Sequence, residues 1–407
     1  MISTYRRALG LPGALAFSAS GLVARLPISM VTLGIVLLVS TRTGSYSLAG
    51  SVSAAYLVPN AVCAVPLARL VDRRGQSRVL LPAVLVFGLG LSLMMTAVEL
   101  GWPTPVPHLF AAVSGAAMPQ IGSCVRARWS RIVPDKRLLQ TAFAIEAVAD
   151  ETVFIVGPAL VTLLATLLHP LAGLGCAVVA ALAGTAALVA QKATEPPPSG
   201  AGHGGRQAGP IGWWVIGPLT ACAFTLGILF GGAEVATVAF AEELGRKPLS
   251  GFLLGVWALG SLLAGLVVGA VRLRAGSAAR FRWGLLSLAL LMTPLPFVQS
   301  LWLMTVLLFL AGFAISPTLI ASVAWVEETV PSSRITEGIA ITTTGLAAGV
   351  APGAAVVGVV IDAYGASVSY WVPAAAGFVG AAVAFTAWPW QRGRTAARPV
   401  APSGSPG

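Results

Sequence analysis

Long apolar segments alternate with short polar segments along the chain. Each apolar segment is near the roughly 20 residues that an α-helix needs to cross the hydrocarbon core of a bilayer. The predicted spans cover residues 13–40, 48–70, 79–98, 105–126, 138–168, 170–190, 213–241, 249–271, 281–299, 301–325, 335–361 and 367–389. The pattern therefore predicts an all-α integral membrane protein with twelve transmembrane helices.

Composition supports this prediction. Of the 407 residues, 57% are hydrophobic and only 10% are charged, whereas soluble domains carry about a quarter charged residues. The sequence contains no phosphate-binding loop, no Ser-His-Asp arrangement and no cluster of metal ligands. We therefore expect no enzymatic activity, no cofactor and no metal site.

The basic residues predict the orientation in the membrane. The chain has 25 Lys+Arg against 14 Asp+Glu, a balance that in a soluble protein would suggest a nucleic-acid partner. Here the basic residues occupy short loops, so we expect a lipid bilayer and no nucleic acid. With the N-terminus in the cytoplasm, 21 of the 25 fall on the cytoplasmic side. This asymmetry predicts a multi-pass protein of the inner (plasma) membrane with both termini cytoplasmic.

Tryptophan positions agree with the spans, because these side chains favour the interfaces of a bilayer. Those near predicted span ends are Trp102, Trp129, Trp213, Trp214, Trp283, Trp302, Trp325, Trp371, Trp388 and Trp390. We expect them to form an aromatic belt.

A segment rich in Pro and Gly, EPPPSGAGHGGRQAGP, divides the spans six and six. It lacks the apolar residues needed for a core, which predicts a flexible linker. The expected organisation is a cytoplasmic N-terminus (1–12), a first bundle (13–190), a cytoplasmic linker (191–212), a second bundle (213–390) and a disordered cytoplasmic tail (391–407).

Five ionisable residues lie inside predicted spans: Arg25, Glu146, Asp150, Glu151 and Glu234. Such residues cost at least about 2.5–3.5 kcal/mol at the centre of a span and usually mark functional sites. A helix turns by about 100° per residue, so Glu146 and Asp150 share one face while Glu151 points about 100° away from Asp150.

Arg25 requires an acidic partner, which we expect to be Asp150 or Glu146. Another acid of the group would then be able to bind and release a proton. The alternative is a static ion pair that joins two spans. Glu234 could bind substrate or a second proton. Trp257 could stack on a flat substrate, or it could be a packed or lipid-facing aromatic residue.

The loop PLARLVDRRGQSRVLLP follows the second span. It resembles the signature of the major facilitator superfamily, G-x-L-A-D-R-x-G-R-K, and departs from it at the first glycine and the final basic pair. The matching residues are Leu70, Asp72, Arg73 and Gly75. The resemblance implies a gating loop in which the aspartate joins a charge network, and Arg126 is its candidate partner.

Gly157 and Pro158 resemble the core of the antiporter motif of the same superfamily, and we expect a helix break there. The eleventh span carries a related pattern, GLAAGVAPGAAVVG. The resemblance implies two six-helix bundles around a central cavity, which moves by alternating access.

These features favour a monomeric secondary transporter whose partners are protons and a small organic molecule. Proton-driven export is the first hypothesis. Proton-coupled import of a sugar, acid or other metabolite would use the same acids. A membrane protein that does not transport, such as a sensor or assembly factor, is the third hypothesis.

Overall fold

The computed structural model describes residues 2–133, 135–198, 213–270, 275–330 and 335–386. Within these ranges the chain forms α-helices joined by short turns. The helices are α1 (Ile2–Leu9), α2 (Ala14–Arg25), α3 (Pro27–Thr43), α4 (Tyr46–Arg74), α5 (Gln76–Glu99), α6 (Pro105–Ala117), α7 (Ile121–Ile132), α8 (Lys136–Leu167), α9 (Ala172–Ala190), α10 (Trp213–Glu243), α11 (Ser250–Ala270), α12 (Ser277–Met292), α13 (Leu301–Gly312), α14 (Ile315–Thr329), α15 (Ile335–Tyr364), α16 (Ala366–Ser369) and α17 (Trp371–Thr386).

Ten helical segments of the described chain are long and apolar enough to cross a membrane. The predicted span 105–126 corresponds to α6 and α7, which are separated around Pro119, and the span 281–299 corresponds to α12. These helices have 13, 12 and 16 residues, so they are shorter than a full span. The helical membrane architecture is confirmed, and the count of twelve stays a prediction.

Proline affects two of the predicted spans differently. The first span is divided into α2 and α3 at Leu26, because Pro27 lacks the N–H that would continue the hydrogen-bond ladder. By contrast, α8 runs through Gly157 and Pro158 without interruption. The expected break at these two residues is wrong, since packing against neighbouring helices tolerates the loss of one backbone hydrogen bond.

The helices before the linker pack mainly among themselves, as do those after it. Two helix pairs make the main contacts between these halves: α4 packs on α15, and α8 packs on α11. The second contact is close, because a Cβ added to Gly251 would lie 2.4 Å from the carbonyl oxygen of Pro158. Small residues of this kind allow helix backbones to approach each other.

Polar contacts between the halves are found at one face of the protein. The face that carries Gly75, Val133 and Glu195 is called the linker face, and the face with these polar contacts, at the other end of the helices, is called the opposite face. Asp362 accepts hydrogen bonds from the backbone N–H groups of Tyr46 and Ser47, at 2.9 and 2.8 Å. It thereby caps the first turn of α4 from the other half of the chain, where a carboxylate is favoured.

Glu242 and Lys247 extend this contact. The Tyr46 hydroxyl donates to Glu242, and the Lys247 ammonium donates to the hydroxyls of Ser40 and Thr41 at 3.1 and 2.9 Å. Asp362, Glu242, Lys247 and Tyr46 form what we call the opposite-face latch. In the described part of the chain, the hydrogen bonds that join the halves lie in this region.

The beginning of the linker is attached to the first half. The buried Arg128 donates to the carbonyl of Gln191 at 2.8 Å and to the hydroxyl of Thr194 at 2.9 Å. The carboxylate of Glu195 accepts from the backbone N–H of Ser77 at 2.8 Å. These contacts hold the first residues of the linker, 191–195, against the first half, and the flexible segment predicted from Glu195 onward stays a prediction. Residues 199–212 and the predicted tail, 391–407, lie outside the described residues.

Two tryptophans depart from the predicted aromatic belt. Trp129 is fully buried, and Trp325 is 4% exposed. Those that are exposed, as the belt requires, are Trp102, Trp213, Trp214, Trp283, Trp302 and Trp371, while Trp388 and Trp390 lie outside the described residues. Trp129 is buried because its indole N–H donates a hydrogen bond to a carboxylate of the charged site described below.

Candidate functional site

The site is built around Arg25, the last residue of α2. Its Nε atom donates to the carbonyl of Gly21 at 3.0 Å, one turn earlier in the same helix. This bond directs the two terminal nitrogens of the guanidinium toward α8. The side chain is 1% exposed, so its charge must be balanced by protein groups rather than by water.

Both acids on one face of α8 provide that balance. One terminal nitrogen of Arg25 contacts a carboxylate oxygen of Glu146, and the other lies 2.7 Å from Oδ1 of Asp150. The sequence left the choice between these two partners open. Because the guanidinium presents two donors in a fixed geometry, it can bind both carboxylates at once.

Glu146 is fully buried and faces donors only. Its Oε1 atom accepts from the hydroxyl of Ser18 at 2.6 Å and from the indole N–H of Trp129 at 2.8 Å, in addition to the contact with Arg25. These three donors satisfy the carboxylate without water. Neither Ser18 nor Trp129 was singled out by the sequence, since nothing in their local patterns points toward α8.

Arg126 completes the group. Its Nη2 atom lies 2.6 Å from Oδ2 of Asp150, and the two side chains are 40% and 33% exposed. Two guanidiniums thus balance two carboxylates, and we call Arg25, Arg126, Glu146 and Asp150 the charge cluster. Among the described residues Arg126 forms its ion pair with Asp150 and not with Asp72, the candidate partner from the sequence.

The predicted gating loop lies at the linker face. Asp72 and Arg73 are exposed at the end of α4, and Asp72 lines a small cavity with Gln76 and Gln120. Gly75 has φ of +92°, a conformation that favours glycine. The turn is built as the signature implies, but the aspartate is separate from the charge cluster.

Glu151 is the remaining acid of this part of α8. It is half-buried and forms no hydrogen bond or ion pair with the described residues. On a helix that turns by about 100° per residue, it lies within about 20° of Pro158 and about 20° of Thr162. Those two residues contact Gly251 of α11, so Glu151 is on the face of α8 that meets the other half of the protein.

Gly157 lies on the same face of α8 as the acids that bind Arg25 and contacts α3. The hydroxyl of Ser29 donates to the carbonyl of Val153 at 2.8 Å, and a Cβ added to Gly157 would lie 1.9 Å from that hydroxyl oxygen. The role of Gly157 here is therefore close helix packing rather than a break. This contact fixes the distance between α3 and α8 next to the charge cluster.

Glu234 lies on α10, away from the charge cluster. It is half-buried, and its carboxyl group has no hydrogen-bond or ion-pair partner among the described residues. Four residues earlier, Phe230 contacts Trp257 of α11 edge-to-face, with ring centroids 5.8 Å apart. Trp257 is 8% exposed and its indole N–H has no acceptor.

Comparison with known proteins agrees with this architecture. The chain matches the sequence profile of the Major Facilitator Superfamily over residues 17–297 and 219–405. The protein belongs to this superfamily. No curated protein matches the chain in sequence.

Several solved structures share the fold. A nucleoside transporter, NupG, has a TM-score of 0.65 at 16% identity over 92% of this chain and 98% of its own. A POT family transporter in complex with 5-aminolevulinic acid has a TM-score of 0.69 at 13% identity, covering 95% and 97% of the two chains. The human organic anion transporter MFSD10 has a TM-score of 0.63 at 14% identity, covering 91% and 98%. At these identities the similarity defines the fold alone.

Proposed function

We propose that the protein is a proton-coupled secondary transporter that exports a small organic molecule by alternating access. The observation that supports this proposal is that the three acids of α8 differ in their contacts. Glu146 and Asp150 balance two arginines, whereas Glu151 has no partner among the described residues and lies at the interface of the halves. Glu146 and Asp150 join α8 to neighbouring helices, and Glu151 is available to bind a proton.

Alternating access gives Glu151 two environments. The latch joins the halves at the opposite face, so we infer that the present conformation is open toward the linker face, with the carboxyl group of Glu151 half-buried. Closing that face requires α8 and α11 to pack along more of their length, which would remove Glu151 from water. Burying an unpaired carboxylate is costly, so closure favours the protonated form. A proton taken up at Glu151 would thus be linked to the switch between conformations.

Export is favoured by the resemblance of Gly157 and Pro158 to the antiporter motif. On that inference the present conformation is open to the face predicted to be cytoplasmic, from which an exporter collects its substrate.

The experiment is a transport assay with purified protein in liposomes. Candidate substrates come from an export and uptake screen in host cells that lack competing transporters. Liposomes loaded with an active compound are then given a pH gradient of either direction. We expect the compound to move in the direction opposite to the protons, and we expect this movement to stop when a protonophore is added.

Transport that is equally fast with and without the gradient would refute proton coupling. Movement of compound and protons in the same direction would refute export and favour an importer. Failure of every compound in the screen to cross the membrane would support the non-transporting alternative.

A further inference from the structure

One face of α10 presents Phe230 and Glu234 to the interior. The two residues are four apart and therefore lie within about 40° of each other on the helix. The face that packs on α17 carries Thr225 and Leu229, which contact Gly380 and Gly377. Glu234 is turned about 140–180° away from those two residues and lies within about 20° of Gly227, which packs against Leu346 and Gly349 of α15.

Trp257 meets this face from α11. Its ring lies at 73° to the ring of Phe230, with centroids 5.8 Å apart. The side chain is 8% exposed, and its indole N–H is buried without an acceptor. Buried tryptophan N–H groups normally find a partner, so this donor is available to an acceptor on a ligand.

Glu234 also lacks a partner, in its case for a carboxyl group. The carboxyl group is half-buried and lacks a cation or donor among the described residues. Unpaired acids inside a membrane protein usually mark a pathway for ligands or ions. The contrast with the charge cluster is informative, because there each carboxylate already has a guanidinium within contact distance.

We propose that Phe230, Glu234 and Trp257 form a subsite for an aromatic amine. The ammonium group pairs with Glu234, the aromatic ring packs against Phe230 and Trp257, and an acceptor atom on the ring receives the indole N–H. The three groups together specify a cationic, planar ligand with one hydrogen-bond acceptor. This inference rests on the proposed transport function, for which it names the substrate class.

The test is calorimetric binding to the purified protein in detergent, without any gradient. The probes are 4-(aminomethyl)quinoline, its neutral analogue 4-(hydroxymethyl)quinoline, and 1-(aminomethyl)naphthalene, which lacks the ring acceptor. We expect the first to bind most tightly, about tenfold or more above the neutral analogue, because hydrogen bonds to charged groups contribute the most.

Two variants assign the preferences to residues. Glu234→Gln should remove the preference for the amine, and Trp257→Phe should remove the preference for quinoline over naphthalene while retaining the preference for the amine. Matched controls are Glu99→Gln, at an exposed pair with Arg42, and Trp371→Phe, at a similar edge-to-face contact with Phe297. Both controls should keep the binding of the parent protein.

Absent binding of the aminomethylquinoline, or equal binding of charged and neutral probes, would overturn the subsite. An unchanged preference for the amine in Glu234→Gln would also overturn the subsite. If Glu234→Gln loses only the pH dependence of transport, Glu234 binds a proton instead of the amine. The outcome is separable from the proposed function. Selective binding without proton-driven transport contradicts only the transport proposal, and proton-driven transport of other compounds without selective binding contradicts only the subsite.

Discussion

Replacing Glu146 with glutamine should destabilise the protein much more than replacing Asp150 with asparagine. Glu146 is fully buried and accepts from Arg25, Ser18 and Trp129. Glutamine keeps one acceptor oxygen but turns an NH₂ group toward donors, and it leaves Arg25 with a single carboxylate. The variant Asp150→Asn also removes a partner of Arg25, but it keeps the buried contact with Glu146 and removes a charge that water can partly replace, because Asp150 is 33% exposed.

The expected magnitudes follow from burial. Removing one partner of a buried ion pair costs about 3–5 kcal/mol in the free energy of unfolding. An exposed pair such as Arg126 with Asp150 contributes about 1 kcal/mol or less. A third variant, Trp129→Phe, removes one hydrogen bond to the carboxylate and should cost about 1.5–3 kcal/mol, between the other two.

The assay is thermal unfolding of detergent-purified protein, with Glu99→Gln at the exposed Arg42 pair as the control. We expect the melting temperature to fall most for Glu146→Gln, less for Trp129→Phe and least for Asp150→Asn, with the control near the parent protein. If Glu146→Gln melts at the temperature of the parent protein, Glu146 does not stabilise the fold, and the assignment of different roles to the acids of α8 is wrong.

Three further predictions follow from other contacts. Gly157→Ala should lower the melting temperature, because the added Cβ would lie 1.9 Å from the Ser29 hydroxyl oxygen, and Ser29→Gly in the same chain should restore part of the loss; no rescue would contradict this contact. Arg128→Lys should increase protease cleavage near residue 195, since one ammonium cannot reach Gln76, Gln191 and Thr194 together; unchanged cleavage would contradict the attachment of the linker. Asp362→Asn should widen spin-label distances across the opposite face, because it weakens the cap on α4; unchanged distances would show that the latch does not hold the halves together.

The sequence predicted the membrane fold and located the charged site, but it could not resolve the pairing of charges. Hydrophobic segments and the positions of Arg25, Glu146 and Asp150 follow from length and helical periodicity. The partner of Arg126 does not, because Asp72 and Asp150 lie on different helices and their distances depend on tertiary packing. The same holds for Trp129, whose position near a span end is equally compatible with an interface or with a buried donor.

Backbone behaviour at proline was also only partly predictable. Pro27 and Pro158 both occur within apolar segments, yet only the first coincides with a helix boundary. The difference arises from neighbours: Gly157 lies directly against Ser29, and Pro158 lies directly against Gly251, so α8 is supported on two sides. Local propensity contains no information about those contacts.

The most direct test of the account is the coupling of Glu151 to protons. In liposomes with an internal pH indicator, addition of a transported compound should drive proton movement in the parent protein and in the Glu99→Gln control. The account predicts that Glu151→Gln abolishes this proton movement while downhill exchange of the compound continues, because the charge cluster and the fold stay intact. Proton movement of the parent size in Glu151→Gln would contradict the account.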